Sequence, residues 1–362
     1  MSGRVPAQKG TDMARSNRIR KTGAYYHVTS RIVNKERWLS DPAFKDKIET
    51  WMYDLADFSG VELLAWAIMD NHFHIYLHVP DVPEEYLLPS STGDSSLPDG
   101  FPPSAGDSPH AVATPAAGDR PRFMLPDDEV VRRLAFLYGE KRARAIAANW
   151  SDMRAHGLDH LVDARKAAFC RRMYDVSEYV KTLKERIAEH IRRTTGHVGA
   201  AFEGRFRAGL VEGGFRAGEL VSLYIDFNPF KAGMTRTVAG YRWTSFAVAD
   251  GHGPRAERAR RAYERIYGLS WAEVRTSVLA AFADRLPEGA RSREGRVPEG
   301  MRLRVSQIVR LRVGALSRGA FIATSLQFGK TMLKTLPPGF SRPSLRSLHR
   351  LLGMIDWESR AA

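Results

Sequence analysis

Two histidines separated by one residue, His72 and His74, open a stretch in which polar and apolar side chains alternate strictly from residue 72 to residue 79. Alternation with a period of two predicts a half-buried β-strand, with the histidines on one face and the apolar residues on the other. Imidazoles at positions i and i+2 of a strand project side by side, close enough to bind one metal ion. The simpler interpretation is two ordinary histidines on a sheet face. We expect the apolar face to pack on helices and the histidine face to be open.

A tyrosine far along the chain is the second candidate for chemistry. Residues 215–227 have helical spacing and run into Asn228-Pro229, where the proline predicts the end of the helix. Tyr224 and Asn228 are four residues apart and therefore share a face of that helix. Considered separately, Tyr224 is interpreted as a core tyrosine and Asn228 as a helix C-cap. At the helix end, however, the amide oxygen of Asn228 is free to bind a ligand.

The overall composition indicates a globular protein with a polyanionic partner. The chain has 362 residues, 43% of them hydrophobic, and a formal net charge of +14. This charge favours nucleic acid or an acidic membrane surface as the partner. No apolar run approaches the roughly 18 residues of a membrane span, and the basic N-terminus has no apolar signal core. With Cys170 as the single cysteine, no internal disulfide can form, and we expect a cytoplasmic protein.

The elements that must position these residues follow in a simple order. A strand is predicted at residues 24–31, with His27, Thr29 and Arg31 on one side. A helix is predicted to start at Ser40-Asp41-Pro42 and to stop at Gly60. An apolar strand at residues 61–69 then leads into the histidine strand. The order strand, helix, strand, strand predicts an α+β fold, a ferredoxin-like (RRM-like) antiparallel sheet with helices on one face.

The rest of the chain divides by composition. Residues 81–164 are predicted to be an insertion, disordered at 88–119 because Pro, Ser, Gly, Asp and Ala dominate there, and then helical from Asp127. Residues 162–194 are helical and strongly basic. Residues 202–212 predict a strand with Arg205 and Arg207 on one side. Residues 251–362 are predicted to be a helical extension. It is either a small DNA-reading module or a set of helices that only pack against the main domain.

Several of these segments together resemble a known family. In the family's order, and over roughly residues 15–250 apart from the insertion, they are similar to the HUH-type tyrosine transposases, in particular the REP-associated tyrosine transposases. The matching segments are Tyr26–Arg31, Asp70–His74, Ser177–Lys184, Gly204–Arg207, Tyr224–Gly233 and Tyr241–Ser245. The chain departs from the family's compact form in its long insertion after Pro80 and its long C-terminal region. The resemblance implies an HUH catalytic domain at residues 1–80 and 165–250.

The resemblance also implies a reaction and a set of residues for it. His72, His74 and Asn228 would bind a divalent metal, Mg²⁺ or Mn²⁺, and Tyr224 would be the nucleophile, with help from Lys184. The reaction would cleave one DNA strand at hairpin-forming repeat DNA through a 5′-phosphotyrosine intermediate and then transfer it. An alternative is a domesticated DNA-binding protein with the same fold and no turnover. A third class, an RNA-binding sheet protein, would use exposed aromatic side chains, and among the residues that the histidine strand places on its histidine face, only Tyr76 is of this kind.

The predicted partner is single-stranded or hairpin DNA, bound by a monomer or homodimer, with no membrane involved. Phosphate contacts from basic side chains should dominate its binding. The residues predicted to make these contacts are Arg31, Arg171, Arg172, Lys181, Arg205 and Arg207.

Overall fold

A computed structural model describes residues 21–89, 121–283 and the pair 321–322, and it has an α+β fold built on an antiparallel sheet. The antiparallel strands are β1 (Ala24–Arg31), β2 (Glu62–Ile68), β3 (His72–Val79) and β4 (Arg207–Val211). They lie in the order β2-β3-β1-β4. A two-residue strand, β5 (Phe321–Ile322), pairs with β4 in parallel. The predicted α+β class and antiparallel sheet are confirmed.

Helices lie between β1 and β2, between β3 and β4, and after β4. They are α1 (Pro42–Ser59), α2 (Asp127–Tyr138), α3 (Glu140–Ala155), α4 (Asp159–Cys170), α5 (Val176–Thr195), α6 (Phe215–Asp226), α7 (Asn228–Lys231), α8 (Ser245–Ala249), α9 (Pro254–Tyr267) and α10 (Trp271–Ala283). Helix α1 starts as predicted, because the Asp41 carboxylate accepts hydrogen bonds from two backbone N–H groups of its first turn. It ends at Gly60, whose φ of 70° is left-handed. Within the described ranges, no helix is both long and apolar enough to cross a membrane.

The sheet carries helices on both faces, so the expectation of helices on one face was wrong. On the first face Val28, Phe73 and Ile75 share a core with α1 and α5. On the second face, α6 and α9 lie against β2, and Ala65 and Ala67 belong to the core there. These two side chains are small and let the apolar side of α6 approach the sheet closely. The predicted open histidine face is therefore largely covered, and His74 is only 6% exposed.

The helices after the first gap pack onto the main core. Helix α2 lies against α1, and Val130, Leu134 and Trp150 are buried in the core of the first face. The chain on the two sides of the gap is joined, because the Leu88 N–H donates to the Arg122 carbonyl at 2.8 Å. Nearly all of the segment predicted to be disordered, 88–119, lies outside the described residues. The division into a main domain, an insertion and an extension stays a prediction.

Two predicted elements differ from the observed ones. The strand predicted at 202–212 is only Arg207–Val211, and Arg205 lies in the loop before it. The basic segment 162–194 is two helices, since α4 ends at Cys170 and α5 starts after its cap, Asp175. Helices α9 and α10 lie in the predicted helical extension, and α9 contacts β2 and α6. The rest of that extension, 284–362, lies outside the described residues, except for Phe321–Ile322.

Candidate active site

The register of the sheet assembles a polar cluster on its second face. Thr29 of β1 lies opposite His74 of β3 and Arg207 of β4, and Arg31 lies opposite His72. Residues directly opposite one another in antiparallel strands place their side chains on the same face. The pairing therefore sets both histidines beside two arginines, Arg31 and Arg207, whose side chains are exposed at this edge of the face.

The two strand histidines are close together and neutral. The ring centroids of His72 and His74 are 5.0 Å apart, with the rings nearly perpendicular. Burial, with a further contribution from the charge of Arg31, lowers the pKa of His72 to about 4. Burial also holds the pKa of His74 well below its ordinary value. Neutral imidazole is the form that binds metal ions, so both rings are in that form at neutral pH.

Each of these histidines is held by a second residue through its Nδ1 atom. The Nδ1 atom of His72 is 2.7 Å from the amide oxygen of Asn71. The Nδ1 atom of His74 is 3.2 Å from Nε2 of His27, and the His27 and His74 rings are nearly parallel, at 4°. His27 is a residue of the site to which the sequence assigned no role. The alternation in β1 had placed it on the right face, but only the strand pairing brings it to His74.

Tyr224 reaches the same cluster from α6. Its ring centroid is 5.4 Å from that of His74 and 5.7 Å from that of His27, in edge-on contacts. The side chain is partly exposed. Burial raises the pKa of Tyr224, while a hydrogen bond with the Asn228 side chain and the charge of Arg31 oppose the rise. The hydroxyl is thus a phenol at neutral pH and must lose its proton to act as a nucleophile.

Asn228 is the first residue of the short helix α7, which follows α6. Its amide nitrogen donates to the Tyr224 carbonyl at 2.8 Å, which ties the side chain back to the helix that carries the tyrosine. Its other atom, the amide oxygen, is the donor that could bind a metal ion. In the part of the chain that the structure describes, no three His, Cys, Asp or Glu side chains form a metal-binding group. The predicted ligands include only two side chains of these types, His72 and His74, and the role of Asn228 as a third ligand stays a prediction.

Lys184 of α5 contacts the loop that precedes β4. Its ammonium donates to the Gly204 carbonyl at 2.6 Å and lies 4.6 Å from the centre of the Phe202 ring. The same loop contacts the end of β1, because the Glu203 N–H donates to the Arg31 carbonyl at 3.0 Å. Arg205 is exposed in this loop. The assistance of Lys184 to Tyr224 stays a prediction.

The remaining basic residues of the predicted DNA-binding set lie in the turn after α4 and on α5. Arg172 lies 5.2 Å from the centre of the Phe58 ring of α1, and the Lys181 ammonium is 3.8 Å from the Glu178 carboxylate on its own helix. Arg171 is exposed at the end of α4. Helix α5 packs on the first face of the sheet, opposite the histidines. The predicted set is therefore split: Arg31 and Arg207 lie on the histidine face, Arg205 lies in the loop before β4, and the other three lie on the side of the first face.

Comparisons with known proteins give one distant structural likeness. No family model and no curated protein matches the sequence. Among solved structures, the chain is similar to one described as the structure of the REP-associated tyrosine transposase bound to a REP hairpin. The sequence identity is 13% and the TM-score is 0.32, over 67% of this chain and 90% of that chain.

Proposed function

We propose that this protein is a metal-dependent enzyme that cleaves and rejoins single DNA strands through a covalent bond to Tyr224. One observation carries the proposal. Tyr224, from α6, lies in edge-on contact with His74 and His27, which come from strands about 150 and 200 positions earlier in the chain. A tyrosine that merely filled the core would not require a cluster of neutral imidazoles beside its hydroxyl-bearing ring. The strand order and directions also support the ferredoxin-like arrangement proposed for this domain.

The reaction is a transesterification at phosphorus. The Tyr224 oxygen forms a bond to the scissile phosphorus, and the bond from phosphorus to the 3′ oxygen breaks. The phenol proton passes to water or to a nearby base, and the leaving 3′ oxygen takes up a proton to become a free hydroxyl. The products are a 5′-phosphotyrosine and a 3′-OH. Since the ester keeps the phosphodiester energy, a second 3′-OH can displace the tyrosine and reseal a strand without ATP.

The donor set fits a divalent metal ion. Two neutral imidazoles, from His72 and His74, and the amide oxygen of Asn228 are nitrogen and oxygen donors of the kind that Mn²⁺ and Mg²⁺ accept together with waters. Bound there, such an ion would withdraw charge from the scissile phosphate. The low pKa of His72, about 4, leaves this ligand unprotonated across the physiological range. The chain's own contribution is to hold the donors beside the tyrosine.

The DNA partner is proposed from the charge around the site. Arg31 and Arg207 flank the histidines on the same sheet face, and both are exposed. Guanidinium groups bind phosphate oxygens through two parallel hydrogen bonds and keep their charge at all physiological pH values. A DNA strand lying across these arginines would bring a phosphate to the edge where Tyr224 is partly exposed. Single-stranded DNA beside a hairpin is the substrate we propose.

A covalent-adduct assay tests the proposal. The protein is incubated with Mn²⁺ and single-stranded DNA that carries a hairpin and a label on its 3′ end, and the products are separated on a denaturing gel. We expect a labelled protein band that protease converts to a short peptide–DNA adduct, and no such band with Tyr224→Phe. DNA binding without any adduct, over a panel of hairpins, would support the alternative of a domesticated binding protein.

A further inference from the structure

Both histidines among the candidate metal ligands are contacted by a residue that has no assigned role. Asn71 contacts His72, and His27 contacts His74, each through the Nδ1 atom of the ligand. Neutral histidine has one N–H and one lone pair, and whichever nitrogen carries the hydrogen cannot bind a metal ion. The partner of Nδ1 therefore decides whether the Nε2 atom of each ligand is available.

The hydrogen bonds of Asn71 determine which ring nitrogen of His72 carries the hydrogen. The amide nitrogen of Asn71 donates to the Lys35 carbonyl at 3.1 Å. This orients the side chain so that its oxygen, which can only accept, lies 2.7 Å from Nδ1 of His72. His72 must then carry its hydrogen on Nδ1 and keep its lone pair on Nε2.

For His74 the partner is a second imidazole. His27 is buried, with 5% of its surface exposed, and its Nε2 atom is 3.2 Å from Nδ1 of His74. Either ring could donate in this pair. When His27 accepts, His74 carries its hydrogen on Nδ1 and its lone pair on Nε2, which matches the arrangement at His72. When His27 donates, His74 carries its hydrogen on Nε2 and is blocked as an Nε2 ligand.

We propose that His27 and Asn71 are positioning residues that accept a hydrogen from Nδ1 of His74 and His72 and so keep both Nε2 atoms as lone-pair donors. The proposal rests on the proposed function only for the identity of the metal ligands. His27 of β1 and Asn71 of the turn before β3 thereby become part of the site. The proposal also gives a physical reason for the burial of a polar ring, that of His27, on β1.

Ring NMR on the free protein tests the tautomers directly. With ¹⁵N-histidine labelling at neutral pH, the long-range ¹H–¹⁵N spectrum separates protonated from unprotonated ring nitrogens. The rings are assigned from the peaks lost in His72→Ala and His74→Ala. We expect unprotonated Nε2 in both rings, whereas free neutral histidine prefers the opposite tautomer. Protonated Nε2 in either ring of the wild-type protein would overturn the proposal.

Metal binding tests the consequence. In calorimetry, His27→Phe keeps a ring of similar shape without a nitrogen, and Asn71→Ala removes the acceptor. We expect each to weaken Mn²⁺ binding by about 10- to 100-fold, as loss of a second-sphere acceptor does in other metal sites. His27→Gln and Asn71→Asp restore an acceptor and should recover most of the affinity. Equal loss in the restoring variants would show that only packing matters and would overturn the proposal.

His78→Phe is the matched control, because His78 lies on the same strand but its Nδ1 pairs with Glu62. It should bind Mn²⁺ as the wild-type protein does. The tautomer measurement needs neither metal nor DNA, so its result stands even where no DNA adduct forms. A wild-type protein with the expected tautomers and no adduct contradicts the proposed function alone. A wild-type protein that forms the adduct with the opposite tautomers contradicts the inference alone.

Discussion

Asp226 and Tyr263 are joined by a hydrogen bond in the core of the second face, where the Tyr263 hydroxyl donates to the Asp226 carboxylate at 2.5 Å. Asp226 lies two residues after Tyr224 on α6, and Tyr263 lies on α9. Both side chains are buried, with 1% and 0% of their surface exposed. The bond therefore ties the helix that carries the candidate nucleophile to the first long helix beyond residue 250.

The Asp226 carboxyl predicts a dependence of stability on pH. Burial raises its pKa to about 7 in the folded protein, against an ordinary value of 3.8. The folded state holds the Asp226 proton more tightly than the unfolded state does. The protonated carboxyl therefore stabilises the fold in full below about pH 4, and this contribution is lost as the pH rises towards 7. Between pH 5 and pH 8 the loss should be on the order of 3 kcal/mol. Urea unfolding at pH 5 and pH 8 should show a larger fall for the wild-type protein than for Asp226→Asn, and equal falls would contradict this assignment.

The local pattern of the sequence predicted the elements, and long-range pairing decided the site. Strict alternation gave the strand at 72–79 and its two faces, because side-chain direction in a strand depends only on position. The burial of His74 could not be predicted from alternation, because it depends on the packing of α6 against Ala65 and Ala67 of another strand. The contact of His27 with His74 likewise depends on the register of β1 and β3.

The same limit explains the misplaced arginine. Arg205 and Arg207 alternate as they would in a strand, but backbone pairing with β1 begins at Arg207, opposite Thr29. A strand needs a partner for its backbone N–H and C=O groups. Before that point the Glu203 N–H bonds instead to the carbonyl at the end of β1. Residue types alone do not reveal where such pairing stops.

The strand histidines should be required for metal-dependent cleavage. In His72→Ala and His74→Ala the ion loses one of its three proposed protein ligands, so Mn²⁺ binding in calorimetry should fall below detection or by at least about 100-fold. Cleavage should be lost, while DNA affinity should change little because arginines supply the phosphate contacts. Unchanged Mn²⁺ affinity in both variants would exclude these residues as the ligands.

The split of the basic residues predicts which of them bind DNA. Arg31→Gln and Arg207→Gln each remove a charge beside the histidines and should weaken single-stranded DNA binding. Each should also reduce the slope of log K against log salt by about 0.7, the value for one phosphate contact on a single strand. Lys181→Gln, on the helix packed against the opposite face, is the matched control and should change neither quantity. A larger effect at Lys181 would place the DNA across the other face.

The segment between residues 89 and 121 should be dispensable for folding and cleavage. Its two ends are held together, because Leu87 and Phe123 form an antiparallel bridge and the Met124 N–H donates to the Tyr86 carbonyl at 2.9 Å. A linker of about four Gly and Ser residues in place of 90–120 can close so short a gap at little entropic cost. Thermal unfolding and the adduct assay should match the full chain. A loss of folding would show that the segment is structural.

The last prediction concerns the nucleophile. Tyr224→Phe removes one oxygen and keeps the ring that contacts His74 and His27. Fold, metal binding and DNA binding should therefore be retained, whereas cleavage and the covalent adduct should both disappear, because phenylalanine cannot form a phosphate ester. Tyr25→Phe is the matched control, since Tyr25 also lies on the second face but stacks on His78, away from His74. Digestion of the wild-type adduct and mass spectrometry should find the nucleotide on Tyr224. A nucleotide on another tyrosine, or continued cleavage by Tyr224→Phe with water as the nucleophile, would refute the mechanism.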